Sequence, residues 1–390
     1  MTRQLARLRG ARYSGGMDTT SGPDEIATGG RLTVDLGALA ANWRLLRDRA
    51  GAAECAAVVK ADAYGLGIPH AVPALRRAGA KTFFVAHPFE AAAARKAAPD
   101  ATIHVLNGLA PGGAEAIIAA GARPVLGSMA EVDEWDAAAR AAGIDGAAAL
   151  HVDTGMNRLG MTHGETQAVA ARLDRGELAF RPALIMSHLA CADEPEHPLN
   201  TRQLEAFRAA RALFPEVPTS LANSAATLAG GAFAFDLCRP GVALYGANPL
   251  AGPGSPMAPV VTLEARIVQL RDVAAGDTVG YGAAETARRP SRIAILSAGY
   301  ADGYLRRAGS ADGAPGAEAV VAGRRCPLFG RVSMDLIAVD VTGTDARRGD
   351  WATLIGRGIG VDEVAARAGT IGYEILTGLG RRHHRIYRGG

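Results

Sequence analysis

No two of the four cysteines (Cys55, Cys191, Cys238, Cys326) stand in a CxxC spacing, so neither a zinc knuckle nor a thioredoxin-type pair is suggested. Cys55 and Cys238 fall in apolar, strand-like runs and read as buried thiols, which fits a reducing cytoplasm. An excess of one charge is lacking too. Lys and Arg (42) nearly balance Asp and Glu (39), and a net charge of +3 offers no basic field to nucleic acid. The run Arg381-Arg382-His383-His384-Arg385 reads as a solvated edge. No stretch approaches the roughly 20 apolar residues of a membrane span. Arg3, Arg7, Arg9 and Arg12 are not followed by the ~7–15 apolar residues of a secretory signal. Residues 13–30 are instead rich in Gly, Ser, Thr and Asp, so residues 1–30 read as a mobile tail, with Met17 an alternative start.

What is present is enough apolar sequence for two domains: 390 residues, 48% hydrophobic and 21% charged. Leu36 to Arg49 has helical periodicity, with Leu39, Trp43 and Leu46 on one face. Short apolar runs then alternate with Ala-rich amphipathic stretches such as Met129–Ala142 and Leu199–Phe214. The runs are Ala56–Val59, Thr82–Ala86, Ile103–Leu106, Pro124–Leu126, Ala148–Val152, Ala183–Ser187, Thr219–Ala222 and Val242–Tyr245. Eight buried-type strands separated by helices predict a parallel (β/α)8 TIM-type barrel over residues 31–252. The alternative is a doubly wound sheet, but its GxGxxG signature does not follow the first strand. Pro249, Pro253, Pro256 and Pro259 mark a linker. Beyond it, Val260–Leu270, Arg292–Leu296, Ala319–Val321 and Leu336–Val341 are β-branched runs between turns. They predict a smaller, mostly antiparallel β domain over residues 253–390. A late helix is expected from Asp362 to Ala368, and another from Ile371 to Leu379 capped by Thr370.

Lys60 directly follows the first of these strands. On the carboxyl-end face of a parallel barrel, burial disfavours the ammonium and leaves a nucleophilic amine, as Schiff-base chemistry requires. Taken alone, Lys60 reads as readily as a solvated residue opening a loop. Three further strand ends carry polar groups suited to phosphate, ring nitrogen and carboxylate: His188, Asn223 with Ser224, and Arg239. Singly each fits a satisfied loop residue; together they read as one site.

The stretch Val58-Val59-Lys60-Ala61-Asp62-Ala63-Tyr64-Gly65-Leu66-Gly67 resembles the pyridoxal 5'-phosphate (PLP) attachment motif of the alanine racemases. Further stretches match in order across roughly residues 31–388. They are Val152-Asp153-Thr154-Gly155-Met156-Asn157-Arg158-Leu159-Gly160, Ser187-His188-Leu189-Ala190, Ala222-Asn223-Ser224 and Arg239-Pro240-Gly241-Val242. In the second domain come Gly280-Tyr281-Gly282, Ser333-Met334-Asp335 and Gly372-Tyr373-Glu374.

The resemblance implies a PLP barrel followed by a β domain, in a homodimer whose active sites are shared between subunits. It implies that the protein interconverts L- and D-alanine in the cytoplasm by two bases, supplying D-alanine for peptidoglycan. Lys60 would hold PLP and serve as one base, and Tyr281 from the other subunit as the second. A phenol ionises at about 10, so the pocket must lower that value to make it a base, as adjacent cationic charge can do. Arg239, oriented by His188, would face the pyridine nitrogen as a group that does not surrender its proton. Tyr64, Ser224 and Tyr373, with Asn223 and the backbone N–H groups of Gly241 and Val242, would bind the rest of the cofactor. Arg158 and the Met334 N–H would meet substrate carboxylate. One departure stands out. Many family members carry a carbamylated lysine two positions before the Asp of Asp-Thr-Gly-Met, and this chain has His151.

Rival readings are weaker. A PLP decarboxylase on this fold keeps a carboxylate where Arg239 stands, and racemases for larger amino acids are typically exported. A PLP-binding regulatory protein lacks the second domain, and a cofactor-free Schiff-base aldolase has no use for a phosphate cradle.

Overall fold

The computed structural model describes residues 19–252 and 254–390; the expectations for Met17 and Pro253 lie outside them. Seven parallel strands follow one another around a curled sheet. They are Ala57–Val58, Thr82–Val85, Thr102–Val105, Arg123–Leu126, Ala148–His151, Pro182–Met186 and Thr219–Ser220. All four residues of Thr82–Val85 are buried, which is why the strand reads as a continuous apolar run. Leu237–Cys238 is the eighth strand. It pairs with Glu54–Cys55, Cys238 lying opposite Cys55. The Asp236 N–H donates to the Thr219 carbonyl at 3.1 Å, and the Ala56 N–H to the Cys238 carbonyl at 3.0 Å. Those bonds close a (β/α)8 barrel.

The eighth strand is therefore not Val242–Tyr245, as its pattern predicts. That segment is a 3-10 turn, buried because it lies under the site, and Pro240 with Gly241 has already ended the strand. Elsewhere the pattern holds: Leu39, Trp43 and Leu46 are all buried in the helix Leu36–Ala50.

The second unit is organised around Val261–Val273, buried at alternate positions as far as Ile267. It pairs antiparallel with Gly30–Asp35, Trp351–Ile355 and Ser291–Leu296. Gly30–Asp35, of which residues 31–35 read as part of the barrel from the sequence, thus belongs to this sheet. Residues 19–30, expected in the tail, include a strand, Thr19–Ser21, which pairs antiparallel with His384–Arg388 and forms an edge of the sheet. His384–Arg388 runs parallel to Gly30–Asp35, an exception to the antiparallel rule.

The helix Val361–Ala368 is followed by Gly372–Gly378. Thr370 does not cap the latter. Ile371 holds the cap position, and the Thr370 hydroxyl donates to the Glu374 carboxylate instead. This last helix presses on the barrel: a Cβ on Gly65 would stand 2.6 Å from the Leu376 carbonyl. Among the described residues no helix is long and apolar enough to cross a membrane.

Candidate active site

The backbone after the first strand turns the wrong way for L-residues. Ala61, Asp62, Ala63 and Tyr64 all have φ of 54–55°. A left-handed conformation costs about 1–2 kcal/mol per residue, so the surroundings must hold it. The Ala63 N–H reaches the Val59 carbonyl at 2.9 Å and the Gly65 N–H the Ala61 carbonyl at 2.7 Å. The Asp62 carboxylate accepts from the Ile68 N–H at 2.9 Å, and Arg385 donates to the Gly65 carbonyl at 2.7 Å. Held this way, Lys60 and Tyr64 line the same cavity, of about 660 Å³, at the carboxyl ends of the strands. Burial holds the Lys60 ammonium below the usual lysine range; nearby Arg158 adds to this and Glu90 opposes it.

Arg239 lies on the barrel floor, 4% exposed. Its guanidinium donates to Ser220 Oγ and to the Ser187 carbonyl, each at 2.5 Å. It also meets His188 Nδ1 at 3.4 Å. Arginine only donates, so that nitrogen accepts and the His188 proton sits on Nε2. Burial lowers the Arg239 pKa to about 10, which leaves it charged at neutral pH. Burial, then Arg239 and Arg158, lower His188 well below its ordinary value and His151 to about 4. Both imidazoles are neutral, and the permanent charges on the cavity wall are cationic apart from Glu374 at its edge.

Beside Tyr64 the backbone gathers donors. Ser224, the first residue of the helix Ser224–Ala229, is 4% exposed and accepts from the Gly241 N–H at 2.8 Å and the Ala243 N–H at 3.4 Å. The Asn223 side chain caps this helix by accepting from the Ala226 N–H at 3.1 Å. A Cβ on Gly241 would fall 2.3 Å from the Tyr64 hydroxyl, so glycine leaves room there for no side chain. Tyr64 stacks on Tyr245 with centroids 4.5 Å apart, and Tyr373 tilts over it at 6.2 Å. Two phenols, a serine hydroxyl and backbone N–H groups beside cations form a donor set for a phosphate.

Arg158 arrives on a loop shaped by Asp153, whose carboxylate accepts from the Gly155, Met156 and Asn157 N–H groups at 3.0, 3.0 and 3.1 Å. Among the described residues no carboxylate bridges Arg158. His151 faces the same cavity.

Ten of the residues singled out from sequence thus converge here: Lys60, Tyr64, Arg158, His188, Asn223, Ser224, Arg239, Gly241, Val242 and Tyr373. Tyr281 and Met334 do not. They are 71% and 53% exposed on the second unit and stand off this cavity. Sequence reasoning missed Asn107 and Thr377 on the wall and Glu90 behind it. Asn107 was within reach, since it follows the third strand as His188 follows the sixth.

A closed barrel with a desolvated lysine at a strand end, and donors suited to a phosphate beside it, is an arrangement fit for Schiff-base chemistry in a barrel enzyme. Comparison with known proteins narrows the class. The model of the alanine racemase N-terminal domain matches residues 34–249, and that of the C-terminal domain residues 260–387. An alanine racemase of Methylobacterium sp. (strain 4-46) is 55% identical over 362 residues, 92% of this chain and 98% of that protein. The crystal structure of alanine racemase from Bartonella henselae with covalently bound pyridoxal phosphate is 39% identical, with a TM-score of 0.86, covering 93% of this chain and 99% of that one. Biosynthetic alanine racemase from Pseudomonas aeruginosa is 40% identical with a TM-score of 0.85, covering 92% and 99%. The chain belongs to the alanine racemase family and is an enzyme.

Proposed function

We propose that this protein interconverts L- and D-alanine with PLP held at Lys60, each site being completed by the partner subunit's Tyr281. The observation that carries the reading is the convergence of Lys60, Arg239 and the Ser224–Gly241 cradle on one cavity. Bound at Lys60, PLP would supply an aldehyde for covalent attachment to an amine and an electron sink for the substrate Cα–H electron pair, which would make that proton transferable.

The chain's own residues do the rest. Tyr64, Ser224 and Tyr373 hydroxyls and the Gly241 and Val242 N–H groups hold phosphate, with Asn223 fixing the helix that presents Ser224. Arg239, pinned by Ser220, Ser187 and His188, offers the ring nitrogen a donor that keeps its proton. Arg158, charged and without a carboxylate partner among the described residues, binds the substrate carboxylate. The Lys60 amine, already poor at holding its proton, takes and returns a proton at Cα from one face.

Racemisation needs a second carrier on the opposite face, and nothing else in this cavity is assigned that role. The exposed Tyr281 and Met334 of the second unit are suited to supply it, and a backbone N–H for the carboxylate, in a dimer. His151, neutral and turned to the cavity, leaves Arg158 without an anionic support from that position. We place the reaction in the cytoplasm, where four free thiols persist, with D-alanine passing to peptidoglycan.

Polarimetry of L-alanine with the PLP-loaded protein tests the reading. Wild type should bring the rotation to zero, and Lys60→Ala should leave it unchanged. Substantial racemisation by Lys60→Ala without added amines would remove Lys60 from the chemistry.

A further inference from the structure

Four consecutive non-glycine residues in the left-handed region form the turn between Lys60 and Gly65. Hydrogen bonds of the turn to itself satisfy the Ala63 and Gly65 N–H groups but not that of Asp62. The Asp62 N–H is met from another element. Glu90, the third residue of the helix Pro88–Ala97, accepts it on Oε1 at 3.2 Å. Its other oxygen accepts from the Ala86 N–H at 2.8 Å and the His87 N–H at 3.2 Å, just past the second barrel strand. The carboxylate is 4% exposed and is not part of the cavity wall. One buried group therefore staples the end of the second strand to the middle of the turn that follows the first. Lys60 and Tyr64 lie at the two ends of that turn. The charged and titratable groups that act on the Lys60 amine are Arg158, Glu90 and His188; of these only Glu90 is negative.

We propose that Glu90 is a positioning residue for Lys60. It holds the left-handed turn so that Lys60 and Tyr64 share one wall of the cavity, and it supplies the negative charge that keeps the Lys60 amine able to take up a proton. It touches neither substrate nor cofactor. The inference rests on the reading of Lys60 as the cofactor lysine and proton carrier.

Glutamate suits the position because three N–H donors converge on a group that only accepts. Glutamine would turn an NH2 towards one of them and remove the charge. Aspartate keeps the charge but falls one methylene short of the turn. The two variants thus separate charge from reach.

Amide hydrogen exchange and the pH dependence of kcat for alanine, both on PLP-loaded protein, test the proposal. Exchange across residues 60–67 should accelerate about tenfold or more in both Glu90→Gln and Glu90→Asp, the effect of losing a hydrogen bond to a charged acceptor. Exchange in the strands Ala148–His151 and Pro182–Met186 should not change. The acid limb of kcat, where the Lys60 amine of the substrate complex gains its proton, should move lower in Glu90→Gln and stay in place in Glu90→Asp.

Unchanged exchange at 60–67 in both variants would remove the staple. A rate loss with the limb unmoved in Glu90→Gln would reduce Glu90 to a structural group. Failure of the underlying reading looks different. Lys60→Ala would then racemise alanine, while faster exchange at 60–67 in the Glu90 variants would still report the staple.

Discussion

Replacing Gly241 by alanine puts a methyl group where the phosphate cradle has none to spare. The new Cβ would stand 2.3 Å from the Tyr64 hydroxyl, 3.2 Å from its Cζ and 3.4 Å from Val58 Cβ. The first contact is impossible, so the phenol or the backbone must move by roughly 1 Å to reach ordinary van der Waals separation. Tyr64 has little room to move. It is 6% exposed and stacked on Tyr245, whose own hydroxyl donates to the Val58 carbonyl at 2.9 Å.

Overpacking of this kind costs about 1–3 kcal/mol. In the proposed cradle both the phenol and the Gly241 N–H meet the phosphate, so the cost should fall on phosphate binding. At 1.4 kcal/mol per factor of ten, PLP should bind about 5- to 150-fold more weakly. Absorbance titration of cofactor-stripped wild type and variant with PLP measures this, with pyridoxal, which lacks the phosphate, in parallel. Pyridoxal should bind the two proteins alike. Equal PLP affinities, or an equal loss for pyridoxal, would refute the placement of the phosphate.

Two further outcomes are expected. If the partner's Tyr281 completes each pocket, Lys60→Ala and Tyr281→Phe proteins are each inactive, yet subunit exchange between them returns about a quarter of wild-type activity, since half the dimers each regain one intact site; persistent inactivity despite demonstrated exchange contradicts the shared site. Acid should also destabilise the fold. His104 and His151 are held down to about 3 and about 4, by burial first and neighbouring arginines second, so the folded state binds fewer protons than the unfolded chain. Their contribution is complete above an unfolded pKa of about 6.5 and declines as pH falls, by about 2 kcal/mol for each by pH 5. His104→Phe, which keeps the stack on Phe84, should flatten urea-derived stability against pH over that range; an unchanged slope would show that His104 does not drive it.

Lys60, His188, Ser224 and Arg239 were legible because a polar residue closing a buried parallel strand lies on the catalytic face whatever the loops do. The eighth strand was legible only in part. Arg239 reads as closing a strand-like run at Cys238, yet Val242–Tyr245 counts as the eighth strand by pattern because it too is apolar, for a different reason, its burial beneath the site. Gly30–Asp35 and His384–Arg388 pair across nearly the whole chain, and no local pattern announces such a partner. The turn Ala61–Tyr64 is the extreme case. L-residues disfavour its left-handed path, and the contacts that meet it, Glu90 at the Asp62 N–H and Arg385 at the Gly65 carbonyl, come from other elements. Tyr281 and Met334 are named only through the resemblance; within one chain both are exposed and stand off the cavity.

The attachment of PLP to Lys60 is tested most directly by borohydride. The chain has three lysines, Lys60, Lys81 and Lys96, so the point of attachment is quickly resolved. Reduction of the PLP-loaded protein, digestion and mass spectrometry should find the phosphopyridoxyl group on the peptide containing Lys60, and nowhere in Lys60→Ala. A phosphopyridoxyl group on Lys81 or Lys96, or none on any lysine, would contradict the assignment of Lys60.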